Sequence, residues 1–482
     1  MRIRSAIAAV FLLAVFAAPA GAAVRPLETG VSYVYDENEP TATFAEVKAT
    51  GARLAHTPVR WGSIAPDVPS AGFQPGNPAE PSYEWEDTDR WVSHAVAAGL
   101  TPVLQIRGAP RWAQRCAHVF SSDTPCNPDP AQLAAFATAA AGRYSGNFGG
   151  LPRVRYWQGL NEPNLSLFFL PQFEGNRAVS PILYRTLINT FYAAIKAVDP
   201  SNLVIAAGLG PIAVPKYTIG PLRFSRELLC MRGHERFRPA RGNCGGGVAF
   251  DIFAIHPYTT GGPTHEGGKN DVQLGGLGRL HALLRAADRA GRIKGSFRHT
   301  PLWVTEFSWD TNPPDPGGLP MGIATRWTAE ALHTAWRAGI GTFFWFSVRD
   351  EEADPGTPSH ASVESGLYFR GPTVAQDHPK DVLRAFRFPF VAYPRRGGLA
   401  LWGRTPTSRE GRVVIQVWKG GWRKVGVVRA DRVGIFRGRV RSAYGRDRNG
   451  QVRAVYKGRG SVPFSMHPVG DFPQPPFGRP AG

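Results

Sequence analysis

The chain is poor in cysteine, with four among 482 residues, and poor in acid, with 37 Asp and Glu against 56 Lys and Arg. The cysteines fall as two close pairs, Cys116 with Cys126 and Cys230 with Cys244, at spacings that match no zinc-ligand pattern. Four cysteines allow three pairings, and the short loops favour Cys116–Cys126 and Cys230–Cys244. An oxidising compartment would let both bridges form, each worth about 2–4 kcal/mol. Long apolar runs are also lacking, since no stretch after the amino terminus reaches the roughly 18 residues of a membrane-spanning helix. Several signatures of reaction chemistry are absent as well. No Gly-x-Ser-x-Gly elbow follows a strand, which argues against a serine hydrolase. His265-Glu266 lacks the second histidine of a metalloprotease helix, and the cluster Gly275-Gly276-Leu277-Gly278 reads as a loop entering a helix and not as a phosphate cradle. No metal and no cofactor are therefore expected.

The first residues read as a secretory signal over residues 1–22. Arg2 and Arg4 form a basic start, Ala6 to Ala18 an apolar core, and Ala20-Gly21-Ala22 a cleavage site. A retained membrane anchor is the competing reading. Secretion is the expectation.

From about residue 31 onward, short apolar runs alternate with helical patterns. Eight strand candidates stand out: Val31–Tyr35, Leu54–Val59, Pro102–Ile106, Val154–Gln158, Leu203–Ala207, Phe250–Ile255, Leu302–Thr305 and Thr342–Phe346. Helix signals lie between them. Asp129-Pro130 and Ser180-Pro181 read as N-caps followed by a first-turn proline, and Gly99 and Gly339 as C-caps. Eight such units predict a (β/α)8 barrel over residues 23–390. An open doubly wound sheet fits less well, because the first strand runs into Asp36-Glu37-Asn38-Glu39-Pro40 and not into a glycine-rich turn. Past residue 390, short apolar runs separated by Gly- and charge-bearing turns predict a small all-β sandwich over residues 391–466, with a hairpin turn at Asn449-Gly450. Residues 467–482, rich in Pro and Gly, predict a disordered tail.

Two glutamates carry the chemistry. Glu162, in Asn161-Glu162-Pro163, and Glu306, in Thr305-Glu306-Phe307, each follow a strand candidate, the fourth and the seventh. In a barrel of this kind both project from the face that bears active sites. A carboxylic acid and a carboxylate held together are what glycosidic cleavage needs, one to protonate the leaving oxygen and one to stabilise or attack the anomeric carbon. An isolated Glu is usually a solvated charge. Two at strand ends are not.

Asn161-Glu162-Pro163-Asn164 and Thr305-Glu306-Phe307 resemble the clan A glycoside hydrolases, with a texture nearest families 39 and 5, over about residues 31–390. The resemblance implies Glu162 as acid/base, Glu306 as nucleophile, retention of configuration, and Asn161 as donor to the sugar 2-hydroxyl. It further implies Arg60, after the second strand, as the cation that keeps Glu306 ionised. Tyr258, with His256 second, would hydrogen-bond the nucleophile. Trp345, on the eighth strand, would be the aromatic floor of the sugar site, and Trp112, after the third, a second platform. Where relatives carry a histidine near the end of the third strand, this chain has Arg107. Trp309 and Asp310 stand just beyond the nucleophile.

The expected protein is a secreted, monomeric retaining glycosidase acting on a carbohydrate. The rival is a catalytically silent carbohydrate- or envelope-binding protein on the same barrel. The net charge of +19 is concentrated in the last hundred residues. It makes an anionic cell-envelope glycan an expected partner of the C-terminal domain, whose other role is as a packing platform. No basic run with interleaved aromatics occurs in the first 380 residues, so no nucleic-acid partner is expected.

Overall fold

Eight strands alternate with eight helices and close on themselves. The computed structural model describes residues 25–34, 38–116, 121–241, 246–352, 363–441 and 450–467. The expected signal segment, Cys244, Asn449 of the expected hairpin turn and the expected tail beyond residue 467 lie outside these residues. The barrel strands are β1 Glu28–Ser32, β2 Leu54–Arg60, β3 Thr101–Arg107, β4 Tyr156–Gly159, β5 Leu203–Leu209, β6 Ile252–Ile255, β7 Leu302–Val304 and β8 Thr342–Phe346. All neighbours are parallel, and β1 pairs with both β2 and β8. The helices that follow them are α1 Pro40–Ala49, α2 Glu86–Ala97, α3 Pro130–Arg143, α4 Ser180–Val198, α5 Pro221–Leu228, α6 Leu277–Arg289, α7 Met321–Ala338 and α8 Asp381–Arg387.

Local chemistry explains most boundaries. Asp129 caps α3, its carboxylate accepting from the amides of Ala131 and Gln132, and Gly339 ends α7 at φ 98°. Several expectations shift, the fourth and sixth strands beginning two residues late, at Tyr156 and Ile252. The first strand begins three residues early, at Glu28, because pairing with Thr342 and not apolarity sets its start. Ser180 does not cap α4: it lies inside the helix, and its hydroxyl donates to Gln172 Oε1.

Strand alternation divides the barrel interior into layers. At the amino-terminal end an apolar plug forms from Leu54, Val103, Leu203, Ile205, Ile252, Ala254, Trp303 and Phe344. Gly30 is required there, since a Cβ would stand 2.3 Å from the Phe344 ring. The next inward positions toward the carboxyl end are polar: Ser32, His56, Gln105, Gln158, His256 and Thr305, all buried. The plug fills the amino-terminal end of the barrel with apolar side chains, and the polar layer above it floors the site.

Beyond the barrel, β9 Phe390–Arg395, β10 Gly398–Arg404 and β13 Ile435–Arg441 form one antiparallel sheet. β11 Gly411–Trp418, β12 Trp422–Ala430 and β14 Gln451–Tyr456 lead a second. This all-β domain is fastened to the barrel. Arg326 of α7 donates to the carbonyls of Ser465 and His467, and Tyr393 to Glu330. Buried Arg404 donates to the Leu27 carbonyl and Thr29 Oγ1, at the end of β1 opposite the glutamates.

Candidate active site

The two glutamates meet over one histidine. Glu162 stands three residues past β4 with φ 39°, in the left-handed region that costs a non-glycine residue about 1–3 kcal/mol. Its amide donates to the Gly208 carbonyl at 3.2 Å. Gly208 itself turns at φ 65°, and a Cβ there would strike Gln158 Nε2 at 2.5 Å. Glu306 follows β7. His256, just past β6, has Nδ1 2.9 Å from Glu162 Oε1 and 3.5 Å from Glu306 Oε2. Its Nε2 lies 3.0 Å from Thr305 Oγ1. The two legs, 2.9 and 3.5 Å laid end to end, cap the separation of those carboxylate oxygens at about 6.4 Å.

The ring is fully buried, and desolvation pushes its pKa below the usual range, so it is neutral at ordinary pH. A neutral ring with the Thr305 hydroxyl donating to Nε2 carries its proton on Nδ1, aimed at both carboxylates. His56, beneath it, is pushed down to about 3, chiefly by burial, with the neighbouring His256 adding to the shift. The floor of the site is thus polar but uncharged.

Burial raises both glutamates, Glu162 to about 8 and Glu306 to about 7. Arg107 opposes this on Glu162. On Glu306 the opposing influences are His256, Arg107 and the Tyr258 hydroxyl, while the Glu162 charge adds to the rise. Arg107, at the end of β3, donates to Tyr33 Oη at 2.9 Å and lies 5.0 Å over the Phe168 ring. The Gln105 amide donates to Asn161 Oδ1 at 2.9 Å, fixing the amide beside Glu162.

No family model matches the chain, and no curated protein matches it. Among solved structures, it is similar to a family 39 glycoside hydrolase from the gut symbiont Bacteroides cellulosilyticus WH2. The TM-score is 0.53 at 16% identity, over 86% of this chain and 79% of that one. A monomeric beta-xylosidase from Caulobacter crescentus CB15 gives 0.51 at 16%, over 82% and 83%. The GH39 enzyme from Xanthomonas axonopodis pv. citri gives 0.50 at 16%, over 87% and 92%. The chain has the fold of the family 39 glycoside hydrolases.

On that fold, the expected site residues divide. Glu162, Glu306, Asn161, His256 and Tyr258 converge: Tyr258 is buried, stacked on Phe307, and feels the charge of both glutamates. Arg60 is a correction. Its Nη1 lies 3.4 Å from the Asp123 carboxylate, and the guanidinium whose charge acts on both glutamates is that of Arg107. Trp345 is a second correction. On β8 it points outward, 1% exposed, donating to the Ser365 carbonyl and packing on Phe386. The inward residue is its neighbour Phe346, whose ring lies 4.8 Å from that of Tyr33. A shift of one residue on a strand reverses the face. Trp112 sits in an aromatic cluster with Trp61 and Phe73, its indole donating to the Pro66 carbonyl. Trp309 is buried against Phe307 and Trp327, whereas Asp310 is half-buried, with its pKa raised to about 7 by burial and by Asp315. The Cys116–Cys126 bridge is present. Cys230 is disulfide-bonded too, while Cys244 is not among the described residues.

Tyr33, Gln105, Phe346 and the buried His56 were not singled out from sequence. Strand parity alone would have found Phe346, because it shares parity with Phe344 and Thr342.

Proposed function

We propose that the protein is a secreted retaining glycoside hydrolase, exported by residues 1–22 and acting as a monomer on O-glycosidic bonds of an oligo- or polysaccharide. The observation that carries the reading is the single imidazole nitrogen within 3.5 Å of both carboxylates. It holds one oxygen of each within about 6.4 Å of the other, which is compatible with the ~5–5.5 Å of a retaining pair and favours it over the ~6.5–9.5 Å that an inverting pair leaves for water. The unequal surroundings of the two acids support the roles. On Glu162 Arg107 opposes the burial that favours its protonated form, whereas His256, Arg107 and the Tyr258 hydroxyl all favour the anion of Glu306, so Glu162 holds the proton and Glu306 is ionised first.

In the first step the Glu306 carboxylate attacks the anomeric carbon while Glu162 gives its proton to the departing oxygen, leaving a glycosyl ester on Glu306. In the second, Glu162, now ionised, takes a proton from water, which displaces Glu306 and restores both groups. The His256 Nδ1–H steadies whichever carboxylate is charged at each stage, and Asn161, aligned by Gln105, is positioned to bind the sugar 2-hydroxyl. The basic C-terminal domain is proposed to hold an anionic glycan of the cell envelope.

Glu306→Gln should abolish hydrolysis of aryl glycosides without unfolding the chain. Glu162→Ala should still be glycosylated by substrates with good leaving groups and, with azide, release a glycosyl azide of the starting configuration. An inverted azide would assign the nucleophile to Glu162, and near wild-type turnover by Glu306→Gln would remove the reading altogether.

A further inference from the structure

The sheet β12-β11-β14 has one face packed inward, with Val413, Ile415, Val417, Val452, Ala454 and Tyr456 buried. Strand register arranges the opposite face in rows. Trp422 pairs with Trp418. Next come Lys424, Gln416 and Arg453, then Val427, Val414 and Val455, and last Arg429 opposite Arg412. Successive rows are about 7 Å apart along the strands.

Folding alone does not account for this face. Trp418 is 46% exposed, although burying an indole is among the larger gains open to a side chain. Its ring stands 5.4 Å from that of Trp422 at 69°, and Arg453 lies 4.2 Å over Trp422 while donating to Gln416 Oε1. One indole is thus capped by a guanidinium and the other stays open to solvent. Arg412 directly faces Arg429 across the strands, a like-charge pair that destabilises a sheet. Among the described residues from 390 to 467 the carboxylates are Glu410 and Asp431. Asp431 is engaged by the amides of Val433 and Ile435, and Glu410 lies in the turn before β11. Neither is on the face.

We propose that this face is a docking surface for an acidic polysaccharide. Trp418 stacks on a sugar ring, Gln416 meets hydroxyls, and Lys424, Arg453, Arg412 and Arg429 meet carboxylates. Charge complementarity sets the sign of the partner, and its class follows from the rest of the face. Single-stranded nucleic acid is held by a succession of open aromatic platforms, and here one indole is open. A bilayer takes a continuous apolar face, and here the valine row is bounded by cations on both sides. The choice of a glycan among polyanions rests on reading the barrel as a glycosidase. The surface itself does not.

The test uses the full chain carrying Glu306→Gln, titrated with polygalacturonate, neutral dextran, single-stranded DNA and phosphatidylglycerol vesicles. Polygalacturonate should bind with a change in tryptophan fluorescence, and should weaken steeply as salt shortens the screening length. Trp418→Ala should weaken it roughly tenfold, about 1.4 kcal/mol. Arg412→Ser with Arg429→Ser should flatten the salt dependence. In the otherwise native chain these exposed variants should leave the hydrolysis of a small aryl glycoside unchanged, and removing the facing arginines should not lower the melting temperature. Dextran binding as tight as polygalacturonate, preferred binding of DNA or vesicles, or binding indifferent to Trp418→Ala would each overturn the proposal. Polygalacturonate binding with these sensitivities in a native chain that hydrolyses no glycoside would uphold this surface and count against the barrel reading.

Discussion

Replacing Arg107 with methionine should move the acidic limb of kcat/KM upward. Burial lifts both glutamates, and Arg107 is the guanidinium whose positive charge opposes that lift on each. Opposite charge near a carboxylate lowers its pKa by about 1–3 units. On Glu306 the Arg107 contribution ranks behind those of His256 and Glu162, so the lower end, about one unit or 1.36 kcal/mol, is expected. The limb governed by ionisation of Glu306 should then climb from about 7 toward a value near 8. At pH 6, where the rate follows the ionised fraction, kcat/KM should fall about tenfold, with a smaller loss at the optimum. Because the pair is coupled through His256, the limbs report the pair as a whole. The assay is kcat/KM on an aryl glycoside from pH 4 to 10 for the wild type, Arg107→Met, Arg107→Lys and Arg60→Met. Lysine should restore most of the limb, and Arg60→Met should leave it in place, since Arg60 is engaged by Asp123 on the rim. A limb unmoved by Arg107→Met but raised by Arg60→Met would refute the electrostatic account while leaving both glutamate assignments standing.

Glu162 and Glu306 have folded pKa values above their ordinary 4.5, so the folded state holds these protons more tightly than the unfolded chain. The resulting penalty is absent below about pH 4.5, grows as pH rises, and is complete only above about 8. Calorimetry of Glu162→Gln should therefore show a melting temperature roughly 3 °C or more above wild type at pH 9 and equal to it at pH 4; the reverse pattern would mean that Glu162 is stabilised as an anion. Trp345→Ala should cost about 3–5 kcal/mol in urea melts, whereas Phe346→Ala should mainly raise KM. If Phe346→Ala destabilises and Trp345→Ala impairs binding, the assignment of strand faces is wrong. Non-reducing peptide mapping should link Cys116 to Cys126 and Cys230 to Cys244, and a crossed pair would contradict both the loop-length argument and the bridge seen at Cys116.

The architecture was legible in the sequence because it rests on local signals. Apolar runs four to six residues long, the cap at Asp129 and the stop at Gly339 are nearest-neighbour chemistry, and β8 falls on the predicted residues. The glutamates were legible for a related reason: a carboxylate directly after an apolar strand is rarely placed there by folding alone. What the sequence could not carry was the distribution of partners. Arg60 and Arg107 both end barrel strands and are opposite one another in the β2–β3 register. Only the packed loops decide that Asp123 takes the first and the glutamates the second. Trp345 stood out in the sequence for its stacking power, yet parity across the closed barrel turns the tryptophan toward α8 and Phe346 toward Tyr33. His256 stood second to Tyr258 because the choice depends on a distance between strands, and one nitrogen within reach of two carboxylates exists only once β4, β6 and β7 are brought together. Residue type and local pattern determined the elements and the candidate reacting groups. The long-range closure of the barrel decided which groups share a charge, a proton or a face, because those energies depend on separations that chain order does not contain.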